Sequence, residues 1–372
     1  MGSGWRIGRI AGIDISIHPS WLVIAALLTW SLAEGSIRSL FPSWSGTQLF
    51  IAGAALAIVF FASVLAHELS HAILARRFGM RVHGITLFIF GGATELDGDA
   101  TRARDEAIVA VAGPATSVLI GGVLLVAGRI ASGPVGDLVG WLGGINIALG
   151  VFNMLPGFPL DGGRVLRAII WRVRGDRIAA TRNAATVGRI IAYGLVGLGV
   201  ILTLQFGLAG NGLWLALIGW FLANAADTAA MQARVEHSLR GVRVRDVMDP
   251  ATPIVSPNES IANVVAERML RGDRRSFLVG HDDGGLAGVL TLADVRRIPR
   301  EHWDETRVTD VMTRFADLAT VGPDDDATAA LAILQEREIA QMPVVVDGRT
   351  PIGMLTLGGI LRLIDTRRKL GV

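Results

Sequence analysis

Residues 49–77 read LFIAGAALAIVFFASVLAHELSHAILARR. Through Ala66 the run holds no ionisable side chain, and it approaches the ~20 residues that cross a hydrocarbon core. His67, Glu68 and His71 then arrive together at its end, a placement that is costly in a membrane unless the groups are used. The run reads as a membrane span with a working end.

The rest of the chain agrees. Of 372 residues, 51% are hydrophobic and 18% charged, against roughly 25% charged in soluble domains. A small soluble domain is excluded, and the length calls for more than one unit. Runs near spanning length lie at about 19–33, 48–70, 106–131, 137–158, 186–206 and 211–227, which predicts a polytopic α-helical protein with six transmembrane helices. The N-terminal segment is polar and alternating, so no cleavable leader is expected. Thirteen arginines between Arg6 and Arg182 fall on one side of these runs, and only Arg38 stands clear on the other. That side, with both chain ends, is therefore expected in the cytosol, and the arginine-rich, alanine-rich usage suggests a bacterial inner or plasma membrane. With no cysteine, disulfides, thiolate metal sites and cysteine nucleophiles are excluded. A formal net charge of +2 gives no reason to expect a nucleic-acid partner.

His67 and His71 are four residues apart, so on a helix both imidazoles project from one face and can reach one Zn²⁺. Glu68 stands about 100° round from His67, placed to act as general base on a water at the open coordination position. The competing reading is a chance triple at a helix end. A third ligand must come from elsewhere, and Asp161 in FNMLPGFPLDGGR, at the expected inner end of the fourth span, is the candidate. It could instead cap the helix that follows. Asn153 in the same span could hydrogen-bond a substrate carbonyl or a developing oxyanion, or serve only helix–helix packing. His18 and His83 are isolated and read as structural. RVHGITLFIFGGATELDGD (81–99) alternates around Gly91-Gly92 and reads as a hairpin, either plain or with an edge able to pair with an extended peptide.

After about residue 232 the composition becomes mixed in charge, and a unit of about 60 residues occurs twice: VRVRDVMDP…GVLTLADV is echoed by TRVTDVMTR…GMLTLGGI. Each copy reads helix, strand, helix, strand, strand, helix. This predicts a soluble α/β pair.

HELSH together with FNMLPGFPLDGG resembles the site-2 protease family of intramembrane zinc metalloproteases, and the repeat is similar to a pair of CBS modules. The expected organisation is 1–231 for the transmembrane metalloprotease with a membrane-associated hairpin, 241–298 for the first CBS module and 305–368 for the second. The resemblance implies that His67, His71 and Asp161 ligate one catalytic zinc, that Glu68 is the general base and that Asn153 lies near substrate. AVAGPATS around Gly113 and Pro114 matches a family segment and reads as packing. The implied reaction is regulated intramembrane proteolysis, hydrolysis of a peptide bond in or near the spanning helix of a single-span protein such as a tethered transcription or anti-sigma factor. The CBS pair implies an adenine nucleotide at Thr291 and Asp294, with Thr356 in the second copy, where Gly359 replaces the acid. The alternative is a docking or homodimerisation module without ligand. A CBS-regulated transporter or channel, its ionisable groups lining an ion path, is the alternative for the whole chain.

Overall fold

The computed structural model describes residues 4–89, 91–97, 100–272, 274–281 and 284–370. Phe90, Gly98 and Asp99 of the expected hairpin lie outside the described residues. Two compact units are resolved, Met1–Ala233 and Arg234–Val372.

In the first unit, β1 (Trp5–Ile10) and β2 (Ile13–Ile17) form an antiparallel pair, followed by α1 (Ser20–Leu32), a π-helical turn and the short α2 (Arg38–Leu40). The long α3 (Gly46–Arg77) carries the histidines. It starts at a capping box in which Ser45 accepts from Gln48 N and the Gln48 side chain accepts from Ser45 N, satisfying two otherwise orphaned donors. Strands β3 (Arg81–Phe88) and β4 (Gly91–Asp97) follow, then α4 (Ala103–Ala131), α5 (Gly133–Asn153), α6 (Asp161–Arg174), α7 (Arg177–Phe206) and α8 (Ala209–Leu239).

Six helical segments are long and apolar enough to cross a membrane: 20–40, 46–77, 103–131, 133–153, 177–206 and 210–239. Leu119, Val126, Ile130 and Leu204 are exposed on them, as side chains facing lipid would be. The expected hairpin is half of a larger feature. Strand β2 pairs in parallel with β3, Ile15 opposite Ile85, so the sheet runs β1-β2-β3-β4 and takes in the alternating N-terminal residues. The parallel pairing joins segments more than sixty residues apart, which local alternation cannot reveal. The sheet packs through Ile13 and Ile85 onto Ala72 of α3.

A second difference concerns the fourth span. It stops at Asn153 instead of reaching residue 158, because Pro156 and Pro159 cannot continue the helix. Asp161 is therefore the first residue of the next helix. That helix, α6, ends at Gly175 in the left-handed region (φ 73°). The following α7 is capped by Asp176, which accepts from Ile178 N and Ala179 N.

Helices α4 and α5 form an antiparallel pair whose backbones nearly touch. A Cβ at Gly143 would stand 2.8 Å from Gly121 O and Leu125 N, and one at Gly150 would stand 2.8 Å from Pro114 O. Small residues are what permit such approach where lipid gives no hydrophobic drive to association.

The second unit holds β5 (Ile254–Val255), α9 (Ile261–Val264), β6 (Ser276–Gly280), β7 (Leu286–Thr291) and α10 (Leu292–Val295) in its first half. Its second half holds α11 (Val308–Val311), β8 (Thr313–Arg314), α12 (Ala327–Glu336), β9 (Gln341–Val346), β10 (Thr350–Thr356) and α13 (Leu357–Leu370). The halves exchange segments. Strand β8 closes the first half's sheet against β7, while Val242 and Val244 enter the second half's core beside Val321, Leu331 and Met342.

Gly143→Leu would overpack the α4–α5 contact at a cost of about 1–3 kcal/mol. Thermal unfolding in detergent should show a lower midpoint than wild type, and an unchanged midpoint would contradict the close packing.

Candidate metal centre

The inner part of α3 is held by α4 along one stripe of that helix. His71 Nδ1 donates to Val109 O at 2.6 Å, and His67 Nδ1 lies 2.9 Å from Ser117 Oγ. Gly113 lies between these two contacts. A Cβ there would fall 2.2 Å from His71 Nε2 and 2.4 Å from His67 Nε2, so glycine is the residue that leaves room for both rings. The Nδ1 bond of His71 fixes its tautomer with the Nε2 lone pair facing inward, and the Ser117 contact does the same when its oxygen accepts from His67. Both imidazoles are buried, 4% and 3% exposed.

The third donor arrives from α6. Asp161 Oδ2 is 3.1 Å from His67 Nε2 and 3.2 Å from His71 Nε2, and the two Nε2 atoms are 3.2 Å apart. Ligand atoms on a tetrahedral ion with bonds of about 2.0–2.1 Å stand roughly 3.3–3.4 Å apart. The triangle thus has nearly the dimensions of one face of such a tetrahedron, with two lone pairs and a carboxylate oxygen directed at its centre. Among the described residues these three form the group able to hold a metal ion. Asp161 does not cap its helix: the cap position is Leu160, with no side-chain cap bond.

Glu68 lies beside the triangle and its Oε2 accepts from Thr94 Oγ1 at 2.7 Å. A Cβ at Gly92 would fall 2.4 Å from the Glu68 side chain, so β4 lies directly against the carboxylate. A cavity of about 510 Å³ opens here, lined by His67, Glu68, Thr94, Asn153, Asp161 and Arg164 among others. Neither Asn153 nor Arg164 has a hydrogen-bond or ion-pair partner among the described residues, so the amide and the guanidinium are free to meet a guest.

The structure therefore brings His67, Glu68, His71, Asp161 and Asn153 to one cavity. Ser117, Thr94 and the role of Gly113 escaped sequence reasoning. Gly113 and Ser117 lie in AVAGPATS, read there only as packing, and nothing in the spacing tied Thr94 to Glu68. His18 is taken up locally, with Nδ1 2.7 Å from Ser20 Oγ. In the second unit, Thr291 and Asp294 bond to each other: Thr291 Oγ1 donates to Asp294 Oδ2 at 2.6 Å, and Thr291 N donates to the same oxygen at 2.9 Å. Thr356 Oγ1 accepts from Gly359 N at 3.0 Å.

The sequence matches Peptidase family M50 over residues 55–134 and 126–196 and the CBS domain over 244–301 and 308–366. It is 36% identical over 368 residues to Rip3 of Mycobacterium tuberculosis, covering 97% of this chain and 93% of that one. It is 32% identical over 372 residues to sll0528 of Synechocystis, covering 98% and 97%. Both relatives carry the words zinc metalloprotease in their names. Among solved structures, the site-2 protease from Methanocaldococcus jannaschii is 28% identical, covering 61% of this chain and 95% of that one, with a TM-score of 0.44. The family match and the two relatives named as zinc metalloproteases favour the hydrolase over a transporter. The chain belongs to Peptidase family M50 and is a multi-pass membrane metalloprotease of the site-2 type with a C-terminal pair of CBS domains.

Proposed function

We propose that His67, His71 and Asp161 hold one catalytic zinc and that Glu68 is the general base of peptide hydrolysis inside the membrane. The observation that carries this is the triangle of inward-facing donors with Glu68 beside it. Zinc in that position supplies Lewis acidity, polarising the scissile carbonyl and making water more acidic.

The remaining steps belong to the protein. Glu68 takes the proton from the attacking water and passes it to the leaving amine. Thr94 donates to one carboxylate oxygen of Glu68 and leaves the other for that transfer. Asn153 and Arg164 on the cavity wall are suited to hold the substrate's carbonyl oxygens. A spanning helix hides its own carbonyls in hydrogen bonds, so the substrate must unwind locally before attack. The site lies where α3 approaches its arginine-bearing end, Arg76 and Arg77, which we place at the cytosolic face together with both chain ends. The substrate class is a single-span membrane protein, such as a tethered transcription or anti-sigma factor, cut within or beside its spanning segment.

For the CBS pair we propose regulation by an adenine nucleotide, with Thr291 and Thr356 meeting phosphate and Asp294 meeting ribose. Asp294 Oδ2 is engaged by Thr291, so the ribose contact falls to Oδ1. Pairing of two such chains through their CBS modules belongs to the same proposal.

Glu68→Gln should retain zinc and lose about 10²–10⁴-fold in turnover of a co-expressed single-span substrate, whereas His67→Ala should lose zinc as well. Full activity in the Gln variant would reject the base. Gly113→Ala should abolish zinc binding, read by metal analysis of the purified protein, while helix content by circular dichroism stays at the wild-type level; a zinc-loaded variant would contradict the donor geometry. Titrating AMP or ATP into the detergent-solubilised full chain should raise its unfolding temperature, less so for Asp294→Ala. No shift with either nucleotide would leave the pair a docking module.

A further inference from the structure

A buried ion pair that the hydrolytic chemistry does not use joins α4 to α6. Glu106 is 1% and Arg167 9% exposed. Arg167 Nε donates to Glu106 Oε1 at 2.5 Å, and Arg167 Nη2 meets the same oxygen. Glu106 lies in the first turn of α4, where the helix dipole favours a carboxylate. Such a pair is weak evidence for stability, since an apolar pair of similar volume often serves equally well. What it adds is fixed geometry.

Its two ends connect the parts of the metal centre. On α4, Glu106 stands three residues before Val109, seven before Gly113 and eleven before Ser117, on the stripe that seats the imidazoles. On the other side, the Arg167 guanidinium carbon lies over the Phe158 ring, 5.3 Å from its centroid. Phe158 stands three residues before Asp161, in the segment that delivers the carboxylate. That segment is itself tightly seated: Phe158 N donates to Ala184 O at 3.3 Å, and a Cβ at Gly163 would fall 2.3 Å from Gly157 C.

We propose that the Glu106–Arg167 pair is a positioning clamp that sets the Asp161 carboxylate at bonding distance from the two imidazoles. The inference rests on the metal reading given above. Arg167 holds the Phe158–Asp161 segment while Glu106 holds Arg167 to the helix that orients His67 and His71. Removing the clamp should weaken metal binding more than it weakens the fold.

The test uses the full chain in detergent, measuring zinc affinity by chelator competition and the unfolding temperature with and without zinc. E106Q removes the charge with little change of shape. E106L/R167M replaces the pair with apolar groups and should keep the apo unfolding temperature near wild type. Each should lower zinc affinity about 10- to 100-fold, as loss of groups supporting metal ligands does. R167K, which keeps a cation opposite Glu106, should retain more affinity than E106Q. Wild-type affinity in both E106Q and the double variant would overturn the clamp, as would a fall in apo stability with no change in affinity, or R167K no better than E106Q. Should wild type itself take up no zinc, the metal reading fails instead, so the two failures are distinguishable.

Discussion

Three side chains able to share one cation are pressed together inside an apolar bundle. Asp161 Oδ2 and the Nε2 atoms of His67 and His71 converge to within 3.2 Å, while the outer nitrogens are tied to Val109 O and Ser117 Oγ. Those outward bonds are what make the convergence useful, because they turn the lone pairs toward one point. The remaining features of the membrane unit can be understood as supports for this point: glycine at 113, the broken segment before Asp161, and the strand edge at Glu68.

Helix α4 is the common wall, carrying both histidine partners on one face and meeting α5 through glycines on another. Proline and glycine between Asn153 and Asp161 end one helix and start the next, and such irregular backbone is tolerated at membrane depth only where protein or a cavity covers it. Here it lines the cavity. The four-stranded sheet brings Thr94 and Gly92 against Glu68 from the opposite direction, so a polypeptide entering between sheet and helices would meet the base and the donor triangle together.

Much of this was legible in the chain. The spanning helices followed from apolar runs, and the pairing of His67 with His71 from helical spacing. That Asp161 could join them was inferred from depth. Other features were not legible, for identifiable physical reasons. The parallel pairing of Ile15 with Ile85 joins strands separated by two helical passages, and alternation alone specifies no partner. The pairing of Glu106 with Arg167 was hidden as well, since a sequence does not show that two such groups meet and become buried. Gly113 matters through the space it leaves, which only the positions of two distant imidazoles reveal. The segment exchange between the CBS halves is hidden likewise, because β8 follows the first module in sequence yet completes its sheet.

The central claim is a claim about ligands, so X-ray absorption at the zinc edge of the loaded, detergent-purified chain tests it most directly. The account predicts two imidazoles and oxygen donors at about 2.0–2.1 Å, with an altered first shell in Asp161→Ala. A spectrum without imidazole scattering, or one unchanged by that substitution, would contradict it.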